Sequence, residues 1–397
     1  MRQEIRIGIK PKFSQKYRSG YPLIEKEAIV NLGELNEEGI LVKLVDEHQR
    51  FIAKGYYGRQ NKGYGWVLTQ KETEPIDQHF FLRKIEQALK ARQAFYNDPE
   101  TTAFRVFNGE GDGVGGVTID YFDGYYLIQW YSEGIYTFKD DVIHGLQAAP
   151  HFKGIYEKKR FDSKGKYIED DDFVTGTRAE FPLTVLENGV RFAINLNEGA
   201  MVGLFLDQRD VRNTIKNTYA QGKTVINMFS YTGAFSVCAA LGGATKTTSV
   251  DVANRSLPKT IENFQLNAID ETTQAIIVED VFKYFKYAVR KQLKFDMVIL
   301  DPPSFARTKK HTFSVTKDYK NLLKEALEIT EDQGIIVAST NNSSLSMGKF
   351  KSFIDTAFKE SGASYRIEEE FSLPRDFRTI KEFEEGNYLK VVFVRKV

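Results

Sequence analysis

The chain has one cysteine, Cys238, in 397 residues. That excludes an intramolecular disulfide and any metal cage built from several thiolates, and it fits the reducing cytoplasm. An excess of one charge is also missing: 55 Lys and Arg face 54 Asp and Glu, a net charge of +1. The total therefore says nothing about partners, and only its distribution does. The start, MRQEIRIGIK, alternates charged and aliphatic residues and lacks an apolar stretch of signal-peptide length. One uncharged run of membrane-spanning length, Val225 to Ala244, is interrupted by Asn227, Ser230, Thr232 and three glycines. It reads as a strand, a turn and a helix, so no membrane association is expected. There is no internal repeat and no low-complexity segment.

What is present is ordinary globular composition, 42% apolar and 27% charged, over a length that implies two or three domains. The aromatic share, 13%, is generous enough to fill cores and leave rings for stacking on bases. Two basic clusters stand out. Residues 1–20 hold Arg2, Arg6, Lys10, Lys12, Lys16 and Arg18 against Glu4 alone. Between 283 and 320, ten Lys or Arg face Asp296, Asp301 and Asp318. Each cluster reads equally as a phosphate-tracking surface or as a solvated face.

Texture divides the chain into 1–75, 76–185 and 186–397. The first part alternates at period two in AIVNLGEL, ILVKLVDE, RFIAKGYY and GYGWVLTQ, which predicts a small β-rich domain. The second opens on a helical pattern over Phe80–Ala94 and continues in strands, GGVTIDYF, GYYLIQWY and IYEKKR, giving a small α+β domain. The acids Glu169 to Asp172 read as loop decoration, not as a metal site, because adjacent acids do not converge on an ion. From 186 onward, buried-strand runs (TVINMF, TKTTSV, QAIIVE, FDMVIL, GIIVAS) alternate with helical stretches at 254–267, 281–291 and 316–329. That rhythm predicts an α/β fold, a parallel sheet covered by helices on both faces, with ligands bound beyond the carboxyl ends of the strands.

GDGVGG (Gly111–Gly116) satisfies the dinucleotide pattern literally but runs into a strand, where a pyrophosphate would need a helix N-terminus, so it reads as a β-turn. The stronger candidate is NMFSYTGAFSVCAALGGA: a strand, a turn and a small-residue helix, with Phe229, Ser230, Tyr231, Thr232, Gly233 and Ala234 at the ligand-facing turn. Asp251, with Val252 beside it, follows the next strand and is placed to accept both ribose hydroxyls of an adenosine. Asp280, followed by Val281, comes after the third strand and can accept from an adenine amino group. Asp301 follows the fourth, in DPPSF. Taken singly, Asp251 or Asp280 reads equally as a helix N-cap; four strand ends in this order are harder to explain that way.

This constellation resembles class I S-adenosylmethionine-dependent methyltransferases and implies a Rossmann-like seven-stranded sheet with S-adenosylmethionine as cofactor. Tyr231 stands where many members have their first glycine, and Asn227 replaces the usual acid. Over nearly its whole length the chain is similar to one subfamily, the bacterial 23S ribosomal RNA methyltransferases with an N-terminal PUA domain. The carrying segments are GLFLDQRDVR, NMFSYTGAF, SVDVANRSLPKTIENFQLN and DPPSFARTKK, with RFIAKGYYGRQ and EGDGVGGVTIDYF in support. The resemblance implies a β-barrel PUA-like RNA-binding domain over 1–75, an α+β insert, cofactor contacts from Gln208 and Arg209, and RNA as the partner.

A cytosine-5 mechanism needs a cysteine thiolate to add to the ring. The family's cysteine follows the fifth strand, where this chain reads IIVASTNNSSLS. Cys238 lies instead in the small-residue helix and reads as packing. The expected transfer is therefore directly to a nitrogen. Guanine N7 is favoured, because this loop and DPPSF are similar to the cysteine-free guanine-N7 domain of a fused bacterial 23S methyltransferase. An exocyclic amine is the other nitrogen acceptor, and Asp301 or the Pro302 carbonyl, with Pro303 completing the motif, would polarise it; Phe305 would stack on the base. Arg307, Lys309 and Lys310, and in the first domain Lys12, Lys16 and Arg18, would hold RNA. Cytosine-5 transfer and a non-catalytic RNA-binding assembly factor stay open as alternatives; a nicotinamide-dependent oxidoreductase is disfavoured by the missing glycine fingerprint. No metal is expected, and a homodimer is left open.

Overall fold

A computed structural model describes residues 3–60, 63–161, 171–307 and 312–397. The chain forms two compact units. The first comprises Met1–Val185, Ile194–Val202 and Arg375–Gly386; the second comprises Leu186–Ala193, Gly203–Pro374 and Asn387–Val397.

In the first unit, β1 (Glu4–Gly8), β2 (Leu41–Val45), β3 (Phe51–Gln60) and β4 (Gly63–Thr69) form a sheet in that order, β1 parallel to β2 and the rest antiparallel. The segment after the helix Pro11–Arg18 bridges from Leu23 to Trp66 and from Ile29 to Ile9, drawing the sheet closed on itself. AIVNLGEL (28–35) departs from the strand expected there: one short 3-10 turn, Lys26–Ala28, ends at its first residue and another, Leu32–Glu34, lies within it. The reason is Asn31, whose side chain accepts from the Gly8 amide (2.9 Å) and donates to the Arg6 carbonyl (3.1 Å), taking the ladder bonds a strand would make.

A second sheet runs β5 (Ala103–Asn108), β6 (Val117–Phe122), β7 (Tyr125–Trp130), β8 (Gly154–Lys159), β9 (Phe173–Gly176), after the helix Gln78–Ala91 that the 80–94 pattern predicts. Both sheets drain into one core, from Ile7 and Tyr56 through Phe81 and Trp130 to Phe383. GDGVGG is a turn in this core. A Cβ at Gly111 would fall 1.8 Å from the Arg378 carbonyl oxygen, and the Tyr56 hydroxyl donates to the Gly115 carbonyl at 2.8 Å. These glycines let backbone and rings approach closely. Arg92 locks the same region: it is buried, pairs with both oxygens of Asp112 (2.6 and 2.8 Å) and donates to the Asp376 carbonyl. Asp171 and Asp172 pair with Arg178 and Lys158; Glu169 and Asp170 lie outside the described residues.

A two-stranded hairpin, β10 (Leu183–Glu187) and β11 (Val190–Ile194), precedes the sheet that dominates the second unit. That sheet has seven strands. They are β12 (Thr224–Met228), β13 (Lys246–Asp251), β14 (Ala275–Val278), β15 (Phe295–Leu300), β18 (Thr330–Thr340), β19 (Tyr365–Phe371) and β20 (Lys390–Lys396), in the order β14-β13-β12-β15-β18-β20-β19. A short hairpin, β16 (Phe305–Arg307) with β17 (Thr312–Ser314), lies between β15 and β18 in sequence. β12 pairs in parallel with both β13 and β15, so the winding reverses at β12; β20 runs antiparallel between β18 and β19. The apolar runs of β12, β15 and β18 bury Ile226, Met228, Val298, Leu300 and Ile336 because helices cover both faces. Val225–Ala244 is a strand, a turn and a helix, and among the described residues no helix is long and apolar enough to cross a membrane.

Candidate functional site at the carboxyl edge of the sheet

The register fixes where the chemistry can sit. Met228 pairs with Val250 on one side and Leu300 on the other, Val278 pairs with Asp251, and Leu300 pairs with Ala338. The residues that follow these positions therefore emerge side by side at the reversal point, the usual crevice of an open α/β sheet.

After β12 the backbone turns sharply. Phe229 (φ 61°), Tyr231 (φ 51°) and Gly233 (φ 75°) all occupy left-handed conformations, two of them without glycine's freedom. Tyr231 thus holds the geometry a glycine would supply. The turn is tied from outside. Ser230 N–H donates to the Val250 carbonyl (3.0 Å), the Thr232 hydroxyl to the Gly203 carbonyl (2.7 Å), and the Asn263 amide to the Thr232 carbonyl (2.9 Å). A Cβ at Gly233 would lie 2.4 Å from Thr260 Cγ2. The helix Ala234–Leu241 starts here with Gly233 as its N-cap and no side chain capping its first amides. Asn227 is buried within the strand, donating to Ser236 (3.1 Å), which in turn bonds Ser249 (2.7 Å).

Asp251 joins two of these loops. Its Oδ2 accepts from Tyr231 N–H and its Oδ1 from Ala253 N–H, both at 2.9 Å, leaving further lone pairs on each oxygen. Val252 beside it is 61% exposed. Asp280 caps the helix Val281–Arg290, accepting from Lys283 N–H at 3.1 Å, so the capping role weighed for it is realised. The Val281 side chain is buried in the core, not presented to the crevice.

Asp301 and Pro302 leave β15 inward, while Pro303 and Phe305 are exposed, Phe305 by 62%. Gln208 is buried against this loop. Its Nε2 donates to Asp301 Oδ1 (3.1 Å) and to Ser339 Oγ (2.8 Å), and its Oε1 is buried with no donor among the described residues. A fixed, unpaired carbonyl of this kind suits a ligand ammonium or amine. Burial pushes the Asp301 carboxyl up to about 6, against the pull of hydrogen bonds from Ser339 and Gln208, and with Asp207 nearby adding to the rise. Tyr319 holds the floor, donating to the Ser339 carbonyl at 2.8 Å. Ser304 donates to Asn341 at 2.5 Å, joining the DPPSF loop to the loop after β18. Arg209 is buried beside Gln208, within 3.8 Å of Asp210. The Phe205 and Tyr231 rings meet at 5.3 Å.

Ser339 and Asn341 lie in IIVASTNNSSLS and Phe205 in GLFLDQRDVR, segments the sequence singles out without assigning these residues a role; Tyr319 is not singled out at all. Gln208 and Ser339 are 131 positions apart, and no local pattern links them. Arg307 belongs to β16, and Lys309 and Lys310 lie outside the described residues. In the first unit, Lys12 is exposed, Lys16 pairs with Glu25 (2.9 Å) and Arg18 pairs with Asp46 (2.9 Å). Cys238 is buried in the helix, and burial pushes its thiol up to about 12. Among the described residues there is no cluster of metal-ligating side chains.

A family profile described as S-adenosylmethionine-dependent methyltransferase matches residues 116–386, and a PUA-like domain profile matches 7–70. YwbD of Bacillus subtilis, provisionally named a ribosomal RNA large subunit methyltransferase, is 62% identical over 98% of this chain and 99% of its own. The ribosomal RNA large subunit methyltransferase I of Alteromonas mediterranea is 30% identical over 96% of each chain. The structure of SMU.776, provisionally a methyltransferase and solved with SAH, is 38% identical, covers 99% of this chain and 100% of its own, and has a TM-score of 0.90.

Proposed function

The chain belongs to the S-adenosylmethionine-dependent methyltransferases, and from that premise we propose that it methylates a base of large-subunit ribosomal RNA in the cytoplasm. The observation that carries the reading is the meeting of the Phe229–Ala234 turn, Asp251, Asp280 and Asp301 at the ends of four adjacent parallel strands. The names of the similar proteins and the PUA-like profile support RNA as the acceptor.

When bound, S-adenosylmethionine supplies an electrophilic methyl group on a sulfonium. Asp251 would accept from the ribose hydroxyls with the lone pairs its two backbone partners leave. Val252, Asp280 and the Val281 amide would hold the adenine, and Ser230, Thr232, Gly233, Ala234, Gln208 and Arg209 would hold the methionine end. On the acceptor side Phe305 stacks on the target base, while Asp301 and the Pro302 carbonyl, supported by Pro303, orient it for in-line attack. Guanine N7 fits best: its in-plane lone pair needs placement alone, whereas cytosine C5 needs a thiolate, and the one thiol is buried and held protonated. Lys12, Lys16, Arg18, Arg307, Lys309 and Lys310 serve as phosphate contacts, and the functional parts are 1–75, 76–185 and 186–397.

Two measurements test this. Calorimetric titration with S-adenosylmethionine should give saturable binding. Mass mapping of large-subunit ribosomal RNA from a deletion strain should show one methylated guanine lost; a full set of methyl groups in that strain would end the RNA assignment.

A further inference from the structure

The helix Val281–Arg290 begins one residue past Asp280, at the rim of the site. With the turn after it, the sequence VFKYFKYAVRKQLK contains five cations and no acid. Val281, Tyr284, Phe285 and Ala288 are buried and seat the helix on the sheet. Lys283, Lys286, Tyr287 and Arg290 follow the i, i+3, i+4, i+7 spacing of a single face, and all four are exposed.

The centre of that face is aromatic. Tyr287 is 42% exposed, its ring 5.7 Å from Tyr284 and 5.9 Å from the Arg290 guanidinium, which lies over it. Acids nearby take up part of the charge: Glu279 pairs with Lys283 at 3.0 Å, and Glu325 of the neighbouring helix faces Lys286. Among the described residues, neither Lys286 nor Arg290 forms an ion pair. On the adjacent helix, by contrast, Lys320 and Lys324 both pair with Glu360.

We propose that this strip is a further RNA-binding surface, continuous with the rim of the methyl-transfer site, in which Lys286 and Arg290 take phosphates and Tyr287 stacks on a base. The proposal rests on the reading of RNA as acceptor. Ten helical residues span about 15 Å, long enough to follow several phosphates of a strand leaving the site. Cations on either side of a ring match the alternation of phosphate and base in single-stranded RNA.

The test uses the full chain and deproteinised large-subunit ribosomal RNA transcript, with affinity measured across a salt series. The double variant Lys286→Ala/Arg290→Ala should bind more weakly, and its log–log salt slope should fall by about 1.4–1.8, two released counterions' worth. Tyr287→Ala should weaken binding roughly tenfold at every salt concentration, with the slope unchanged. Cofactor affinity should stay at the wild-type value in both variants. Wild-type RNA binding that keeps its slope in the double variant overturns the strip alone. A wild-type protein that binds no RNA overturns the acceptor reading and the strip with it. Polyglutamate that binds the wild type as tightly as RNA does, with the same loss in all variants, would show a site for acidic proteins instead.

Discussion

At the scale of single residues, Asp301 is where geometry and protonation meet. Its carboxyl titrates near 6 because burial disfavours the charge. An ionised Asp301 that orients the base makes methyl transfer fall as pH drops through about 6, and Asp301→Asn should flatten that limb in a pH–rate profile. For stability the sign runs the other way. The folded state binds this proton more tightly than the unfolded one, so this group's contribution declines as pH rises from the ordinary carboxylate range to about 6. Asp251 carries a different load. Asp251→Ala should weaken S-adenosylmethionine binding by roughly 1.5–3 kcal/mol, the scale of charge-assisted hydrogen bonds, and calorimetry at wild-type affinity would remove it from the ribose. Cys238→Ala should keep full methyl transfer with a small loss of stability from the cavity. A folded, cofactor-binding Cys238→Ala protein without activity would restore a thiolate mechanism.

At the scale of elements, the turn after β12 stores strain in two left-handed residues, Phe229 and Tyr231, and relies on glycine at the third, Gly233. Gly233→Ala should destabilise by roughly 1–3 kcal/mol, since it adds a backbone penalty to contact with Thr260. Gly233→Ala/Thr260→Ser should recover only part of the steric cost, because the methyl at 2.4 Å is gone while the hydroxyl at 2.9 Å stays, and denaturant midpoints would measure that partial recovery. Apolar runs between turn signals make β12, β14, β15 and β18 legible in the sequence, the strand–helix rhythm adds the mostly polar β13, and the helix Gln78–Ala91 falls where its pattern predicts. β19 is not legible in this way, because YRIEEEF sits at the sheet edge and carries the acids an edge tolerates. AIVNLGEL misled because alternation describes burial and not bonding, and the Asn31 side chain takes the bonds. In the site, the acids at strand ends could be read from order alone. The Gln208–Asp301–Ser339 cluster could not, since only the folded sheet brings positions 208, 301 and 339 together.

At the scale of the whole molecule, the first 75 residues share a core with the middle region, Tyr56 against Phe138 at 5.8 Å and Trp66 against Phe383 at 5.6 Å. Cutting the chain at 75 would expose that core, so the RNA role of the amino-terminal cations belongs to point variants in the full chain. Lys12→Ala should lower the salt slope of RNA binding by about 0.7–0.9, and adding Lys16→Ala should lower it further only where RNA draws Lys16 from Glu25. Arg18→Ala should register chiefly as lost stability, because its partner Asp46 is buried. An unchanged slope in both lysine variants would leave the PUA-like region without phosphate contacts at these positions.

The segment Arg375–Gly386 lies between β19 and β20 in sequence yet belongs to the first unit, bringing Phe383 into its core and the Asp376 carbonyl to Arg92. Synthesis on the ribosome proceeds in sequence order, so the first unit waits for nearly the whole second unit to emerge before its last core ring arrives. Nascent chains arrested before residue 375 therefore hold an amino-terminal half with Tyr21 and Trp66 uncovered, a state that chaperones would have to shelter until translation passes Phe383.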